Sequence, residues 1–119
     1  MLSKLALDLP IIQAPMAGVS TPALAAAVSE AGGLGSIAVG ATNPSGARTM
    51  MMMLRSQTQR PFNVNVFAHQ AARRRLDNEA AWLSALAPTF RKFNADPPLR
   101  LREINQSFVF DDEMLRLFV

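Results

Sequence analysis

The chain has 119 residues, half of them apolar and 18% charged, which suits one domain with a real core and excludes the composition of a disordered chain. It has no cysteine, so disulfides, thiolate metal sites and a cysteine nucleophile are excluded within it. The formal charge is only +3, although the sequence pI is 10.6, and the one dense basic cluster, Arg73-Arg74-Arg75, lacks the interleaved aromatics of a nucleic-acid-binding face. Nucleic acid is therefore not an expected partner.

From Met1 to Leu9 the chain mixes Lys4 and Asp8 with apolar residues, and Asp8-Leu9-Pro10 breaks the pattern of a signal peptide. No stretch approaches the roughly 20 apolar residues that cross a bilayer. The expectation is a soluble, cytoplasmic chain that does not engage a membrane.

In chain order, Ile11-Ile12 predicts a short buried strand ending in the loop Ala14-Pro15-Met16-Ala17-Gly18. In Ser20-Thr21-Pro22 a hydroxyl can cap a helix whose first turn accepts proline. Ala23 to Ala31 is rich in alanine and leucine and predicts that helix, which Gly32-Gly33 stops. Leu34 to Val39 is a second strand, Gly40 to Gly46 a loop, and Ala47 to Gln57 a second helix. Met50-Met51-Met52-Met53 covers every side of that helix, so the four cannot face one ligand and are packing residues. After Pro61, Phe62 to Phe67 alternates as a third strand. Glu79 to Leu86 predicts a helix with Trp82, Leu83 and Leu86 on one face. The segment with Pro88, Pro97 and Pro98 is expected to wander, and Asp111 to Val119 begins another helix with acids at its positive end.

Strands alternating with helices imply parallel βαβ units, hence an α/β fold of about three such units. A complete (β/α)₈ barrel takes about 250 residues. Residues 1–119 are thus expected to form one partial domain, incomplete at its C-terminus, whose open sheet edge could support self-association.

In parallel α/β folds chemistry gathers at the carboxyl ends of the strands. Ala14–Gly18, Val39-Gly40-Ala41 and Asn65-Val66-Phe67 fall there. The first has small residues that leave main-chain groups exposed, so a flat heteroaromatic ring could lie against Met16; a plain strand-to-helix turn has the same composition. Asn63 and Asn65 point to one side of their strand. Asparagine is depleted in strands, so the pair suggests a polar interior or a ligand, with Asn65 nearer the carboxyl end. His69, the one histidine, sits where a general base could sit but has no carboxylate near it in sequence, which favours a surface or structural histidine. No catalytic residue is assigned. Nothing has metal-ligand spacing, and Gly32-Gly33-Leu34-Gly35 precedes a strand rather than opening a helix, so it fails the dinucleotide context.

Together these segments resemble a known family. Pro10-Ile11-Ile12-Gln13-Ala14-Pro15-Met16-Ala17-Gly18-Val19-Ser20-Thr21-Pro22 resembles the first motif of the nitronate monooxygenases, formerly called 2-nitropropane dioxygenases. Glu30-Ala31-Gly32-Gly33-Leu34-Gly35 is similar to their second-strand entry. Pro61-Phe62-Asn63-Val64-Asn65-Val66-Phe67-Ala68-His69 resembles their third-strand motif, in its bacterial class I form. The resemblance is clearest over residues 10–70. It implies the N-terminal portion of an FMN-binding (β/α)₈ TIM barrel that oxidises alkyl nitronates with O2 to carbonyl compounds and nitrite. It also implies flavin contacts from Ala14, Pro15, Met16 and Ala17 through their main chain, and from Asn65.

In such barrels the cofactor phosphate is held after the seventh and eighth strands. The further expectation is that residues 1–119 alone neither hold FMN tightly nor turn over substrate. Two other readings stand beside this one: a flavin-dependent NAD(P)H:quinone or enoyl-acyl-carrier-protein reductase on the same scaffold, and a non-catalytic fragment or subunit.

Overall fold

A computed structural model describes residues 2–71 and 73–119. The chain forms two compact units, Met1–Gln70 with Asn105–Val119, and Ala71–Ile104 between them in sequence.

In the first unit a 3₁₀ turn, Leu2–Leu5, precedes helix α1, Pro22–Glu30. The Thr21 hydroxyl caps α1 by accepting from the Leu24 N–H at 3.2 Å, and Pro22 occupies the first turn, where no amide partner is needed. Gly32, at φ +93°, ends the helix in the left-handed region and turns the chain into the next strand.

Strands β1, Gly35–Ala38, and β2, Phe62–Asn65, pair in parallel, Gly35 opposite Phe62 and Ala38 opposite Asn65. Helix α2, Pro44–Arg55, makes the crossover, capped by the Asn43 side chain on the Gly46 N–H. It starts three residues earlier than expected because Asn43-Pro44 supplies both a cap and a first-turn proline. A Cβ on Gly35 would lie 1.9 Å from the Ala25 carbonyl oxygen, so only glycine lets β1 pack this closely on α1.

The first expected strand is shorter than its sequence suggests. It contributes one parallel bridge, Ile12 to Leu34. The Leu34 N–H donates to Ile11 O at 2.9 Å and the Gln13 N–H to Leu34 O at 3.0 Å. Pro10 lacks a donor and Pro15 interrupts the chain beyond, so no longer ladder forms. With a neighbour on one side only, Ile11 and Ile12 are 55% and 58% exposed rather than buried.

The core lies between the sheet and α1 and α2. Ala25, Ala26, Ile37, Val39, Ala47 and Leu54 form it together with Met114. Each fully buried Ile37, Val39 or Leu54 side chain contributes about 1.5–3 kcal/mol. Met50 and Met51 pack against this core, whereas Met52 and Met53 are exposed, as expected of four consecutive helical positions. The chain returns to this unit through a 3₁₀ turn, Phe108–Phe110, and the one-turn helix α4, Asp112–Leu115, which is shorter than expected. Asp111 caps it on the Met114 N–H at 2.8 Å. Numbered in chain order, the helix of the second unit is α3.

That helix, Leu76–Lys92, is twice the expected length and runs through Pro88. Pro88 removes one amide donor. Asp77 and Glu79 in the first turn and Arg91 and Lys92 in the last complement the helix dipole at its two ends. Trp82 is 55% exposed while Leu83 is buried, because adjacent helical residues point about 100° apart. No described helix is long and apolar enough to cross a membrane.

Candidate functional site

The Ala14–Gly18 turn, the end of β1 at Val39-Gly40-Ala41 and the end of β2 at Asn65 all belong to the first unit. The turn is shaped by side chains outside it. Ser20, 3% exposed, sits where the chain comes back towards α1. Its hydroxyl accepts from the Met16 N–H at 2.8 Å and from Gln13 Nε2 at 2.9 Å, and donates to Ala14 O at 3.1 Å. Met16 O meanwhile accepts from the Val19 and Ser20 N–H groups. Gly18, at φ +75°, takes the left-handed conformation that this reversal needs.

Gln13 ties the turn to the sheet. Its Oε1 accepts from the Ser36 N–H at 3.2 Å, and its Nε2 donates to Ser36 O at 3.1 Å. The side-chain amide thereby does for β1 what a neighbouring strand's main chain would do, at the point where Pro15 ends the ladder. Across the sheet, Asn63 Nδ2 donates to Ser36 Oγ at 3.3 Å, next to the register pair Ser36–Asn63. Gln13, Ser36 and Asn63 thus make a polar row through the three chain segments.

Some groups at this end carry no internal partner. Among the described residues nothing accepts from the N–H groups of Ala14, Ala17 or Gly18, and nothing bonds the Asn65 side-chain amide. Ala14, Ala17 and Gly18 are exposed, Pro15 and Asn65 half-buried, and Met16 is 40% exposed. A Cβ built on Gly18 meets nothing within 4 Å, so the space beside it is open. Asn65 O, by contrast, is engaged, accepting from the Val39 N–H at 3.0 Å. The two asparagines therefore divide: Asn63 is used internally, and Asn65 offers a free amide.

His69 bonds backbone on both sides. Its Nδ1 lies 2.9 Å from Gln70 O and its Nε2 3.1 Å from Asn105 O. With both ring nitrogens beside main-chain carbonyls, it ties the chain at Gln70 to the chain at Asn105. Phe67 O accepts from the Phe108 N–H at 2.7 Å and reinforces the same junction. Of the arginine cluster, Arg74 is engaged by Glu79 through Nε at 3.2 Å and Nη2 at 2.7 Å. No group of three or more metal-ligating side chains comes together among the described residues.

The sequence places the turn and Asn65 at strand ends but does not reveal Gln13 and Ser20 as the residues that shape the turn. Gln13 carried a signal: a long polar side chain ending an apolar run must find partners when the sheet packs. In the sequence Ser20 reads, with Thr21, as a candidate helix cap, and Thr21 makes that cap.

A family model described as nitronate monooxygenase matches residues 1–104. The chain is 55% identical to a nitronate monooxygenase from Paraburkholderia phytofirmans over 119 residues, covering 100% of this chain and 32% of that protein. It is also similar to the crystal structure of a nitroalkane oxidase from Streptomyces ansochromogenes, at TM-score 0.65 and 44% identity, over 76% of this chain and 25% of that one. A structure of FabK from Thermotoga maritima matches at TM-score 0.54 and 46% identity, over 57% of this chain and 22% of that one. The chain spans about one third of the length of the curated relatives it matches.

Proposed function

This chain belongs to the nitronate monooxygenase family, and from that premise we propose that it supplies the ring-facing part of an FMN site in a cytoplasmic enzyme that oxidises alkyl nitronates, such as propionate 3-nitronate, with O2 to a carbonyl compound and nitrite. The parallel βαβ arrangement is the N-terminal portion of a (β/α)₈ barrel, and the turn stands at the strand ends where such barrels place their chemistry.

The observation that carries the proposal is the set of unpartnered N–H groups on Ala14, Ala17 and Gly18 beside the unpartnered amide of Asn65. A flat heteroaromatic group fits this surface. Its acceptor atoms would take hydrogen bonds from Ala17 and Gly18, its face would lie on Met16 and Pro15, and Asn65 would meet a polar edge. When bound, FMN supplies the redox chemistry between nitronate and O2. The residues of this chain supply position: they fix donors in advance and hold an apolar wall, and neither requires a titrating group. The phosphate-gripping loops of such barrels lie after later strands, so tight FMN binding is assigned to the longer polypeptide. The free outer edge of β2 would then be covered by the next strand, or by a second copy in an isolated fragment.

The test is O2 consumption with propionate 3-nitronate by the full-length polypeptide that contains residues 1–119, with nitrite measured in parallel. Nitronate-dependent uptake supports the reading. NADH oxidation with quinone, in the absence of nitronate-dependent uptake, would replace it with a reductase.

A further inference from the structure

We infer that Ser20, held by Gln13, is a positioning residue for the flavin: it decides which main-chain N–H groups of the turn face the ligand.

The turn from Ala14 to Gly18 has four N–H groups, since Pro15 has none. The Ser20 hydroxyl draws the Met16 N–H inward at 2.8 Å. That leaves the Ala14, Ala17 and Gly18 donors without an internal partner. The same hydroxyl donates to Ala14 O at 3.1 Å, closing both sides of the turn on one atom. A hydroxyl has one donor and two acceptor sites, and here all three are used, by Ala14 O, the Met16 N–H and Gln13 Nε2. Its orientation is therefore fixed, and Gln13 in turn is anchored at both amide atoms to the main chain of Ser36 in β1. The path runs from a buried strand through two side chains to a surface turn of small residues that has few contacts of its own.

Fixed donors are what a ring edge needs, because a donor that must be reoriented on binding gives up much of its benefit. Without the Ser20 hydroxyl, Met16 would be free to turn its N–H outward, and the turn would sample several donor arrangements. Ser29 provides the comparison. It is a fully buried serine within α1, donating to Pro61 O at 2.9 Å and accepting from the Gly35 N–H at 3.1 Å, and its hydrogen bonds go to neither end of the turn.

This inference rests on the flavin reading above, and the experiment separates the two. In the full-length polypeptide containing residues 1–119, FMN affinity and the visible flavin spectrum are measured for the unaltered protein, Ser20→Ala and Ser29→Ala, each beside its thermal midpoint. The expected result is that Ser20→Ala weakens FMN about tenfold and shifts the flavin bands, as the loss of a fixed hydrogen-bond arrangement would. Ser29→Ala should lower the thermal midpoint while keeping FMN affinity within about twofold. If Ser20→Ala does not fold, Ser20→Cys, which keeps the shape but is a much weaker donor and acceptor, is read in the same way. An unchanged affinity and spectrum in the folded Ser20 variant, or an equal loss in both serine variants, would overturn the positioning role. An unaltered protein that binds no FMN would overturn the flavin reading itself.

Discussion

The side chain of Gln13 closes two hydrogen bonds on the main chain of Ser36, 3.2 Å from the N–H and 3.1 Å from the carbonyl, and so replaces a strand where the ladder stops. Replacing Gln13 with methionine keeps the volume and removes both bonds, leaving buried main-chain groups of Ser36 unpaired. Stability should fall by about 2 kcal/mol, read as a lower urea midpoint with an unchanged slope. An unchanged midpoint would show that the bonds contribute nothing.

Gly35 and Gly18 should respond differently to the same alanine substitution. At Gly35 the new Cβ would meet the Ala25 carbonyl at 1.9 Å, so α1 and β1 must move apart and the fold should lose about 3 kcal/mol or more. At Gly18 the space is open and the cost is only that of the left-handed backbone, about 1–2 kcal/mol. Comparing the two unfolding free energies checks the order.

Asn63 and Asn65 should separate stability from binding. Asn63→Ala removes the bond to Ser36 Oγ and should cost about 1 kcal/mol of stability. Asn65→Ala removes no internal side-chain bond among the described residues. It should leave the melting temperature almost unchanged and weaken FMN in the full-length polypeptide. Parallel thermal melts and FMN titrations read both effects, and equal stability loss at the two sites would contradict the assignment.

These contrasts mark how far the sequence could be followed. The Ala14–Gly18 turn was legible because its signals are local: a β-branched pair, a proline, small residues and a helix cap. The function of Gln13 was not, because its partner Ser36 lies 23 residues away and is brought near only by strand pairing. The residue type of Ile11 and Ile12 predicts burial, but exposure depends on whether a neighbour exists on both sides. In the sequence Pro88 predicts a break, yet α3 runs through it. The cost of Pro88, a missing donor and a ring crowded against the preceding turn, is local, and favourable charges stand at the two ends of the helix. A hydroxyl cap before α1 and a glycine stop after it are legible in the sequence because each involves residues within a single turn.

Acid should loosen the start of α3. The Arg74 guanidinium, by hydrogen bond and by charge, holds the Glu79 carboxyl below its ordinary range, and Glu79 holds Arg74 above its own. A carboxyl whose folded pKa is lowered stabilises the fold above its unfolded pKa, and that contribution disappears as pH falls through the folded value. The helix signal should therefore decline on acidification below the usual glutamate range, and Glu79→Gln should flatten that part of the profile. Arg74 is exposed and Glu79 half-buried at the surface, so the effect will be small. Circular dichroism of both proteins between neutral and strongly acidic pH tests the sign.

The central claim is that the turn carrying Ala17 and Gly18 faces the flavin, and amide hydrogen exchange with and without FMN tests it most directly. Residue-resolved exchange in the full-length polypeptide should show the Ala17 and Gly18 amides, which have no acceptor among the described residues, becoming protected when FMN is added. The Met16 amide, already bonded to Ser20, should change little. Saturating FMN that leaves Ala17 and Gly18 exchanging at their unliganded rates would contradict the account.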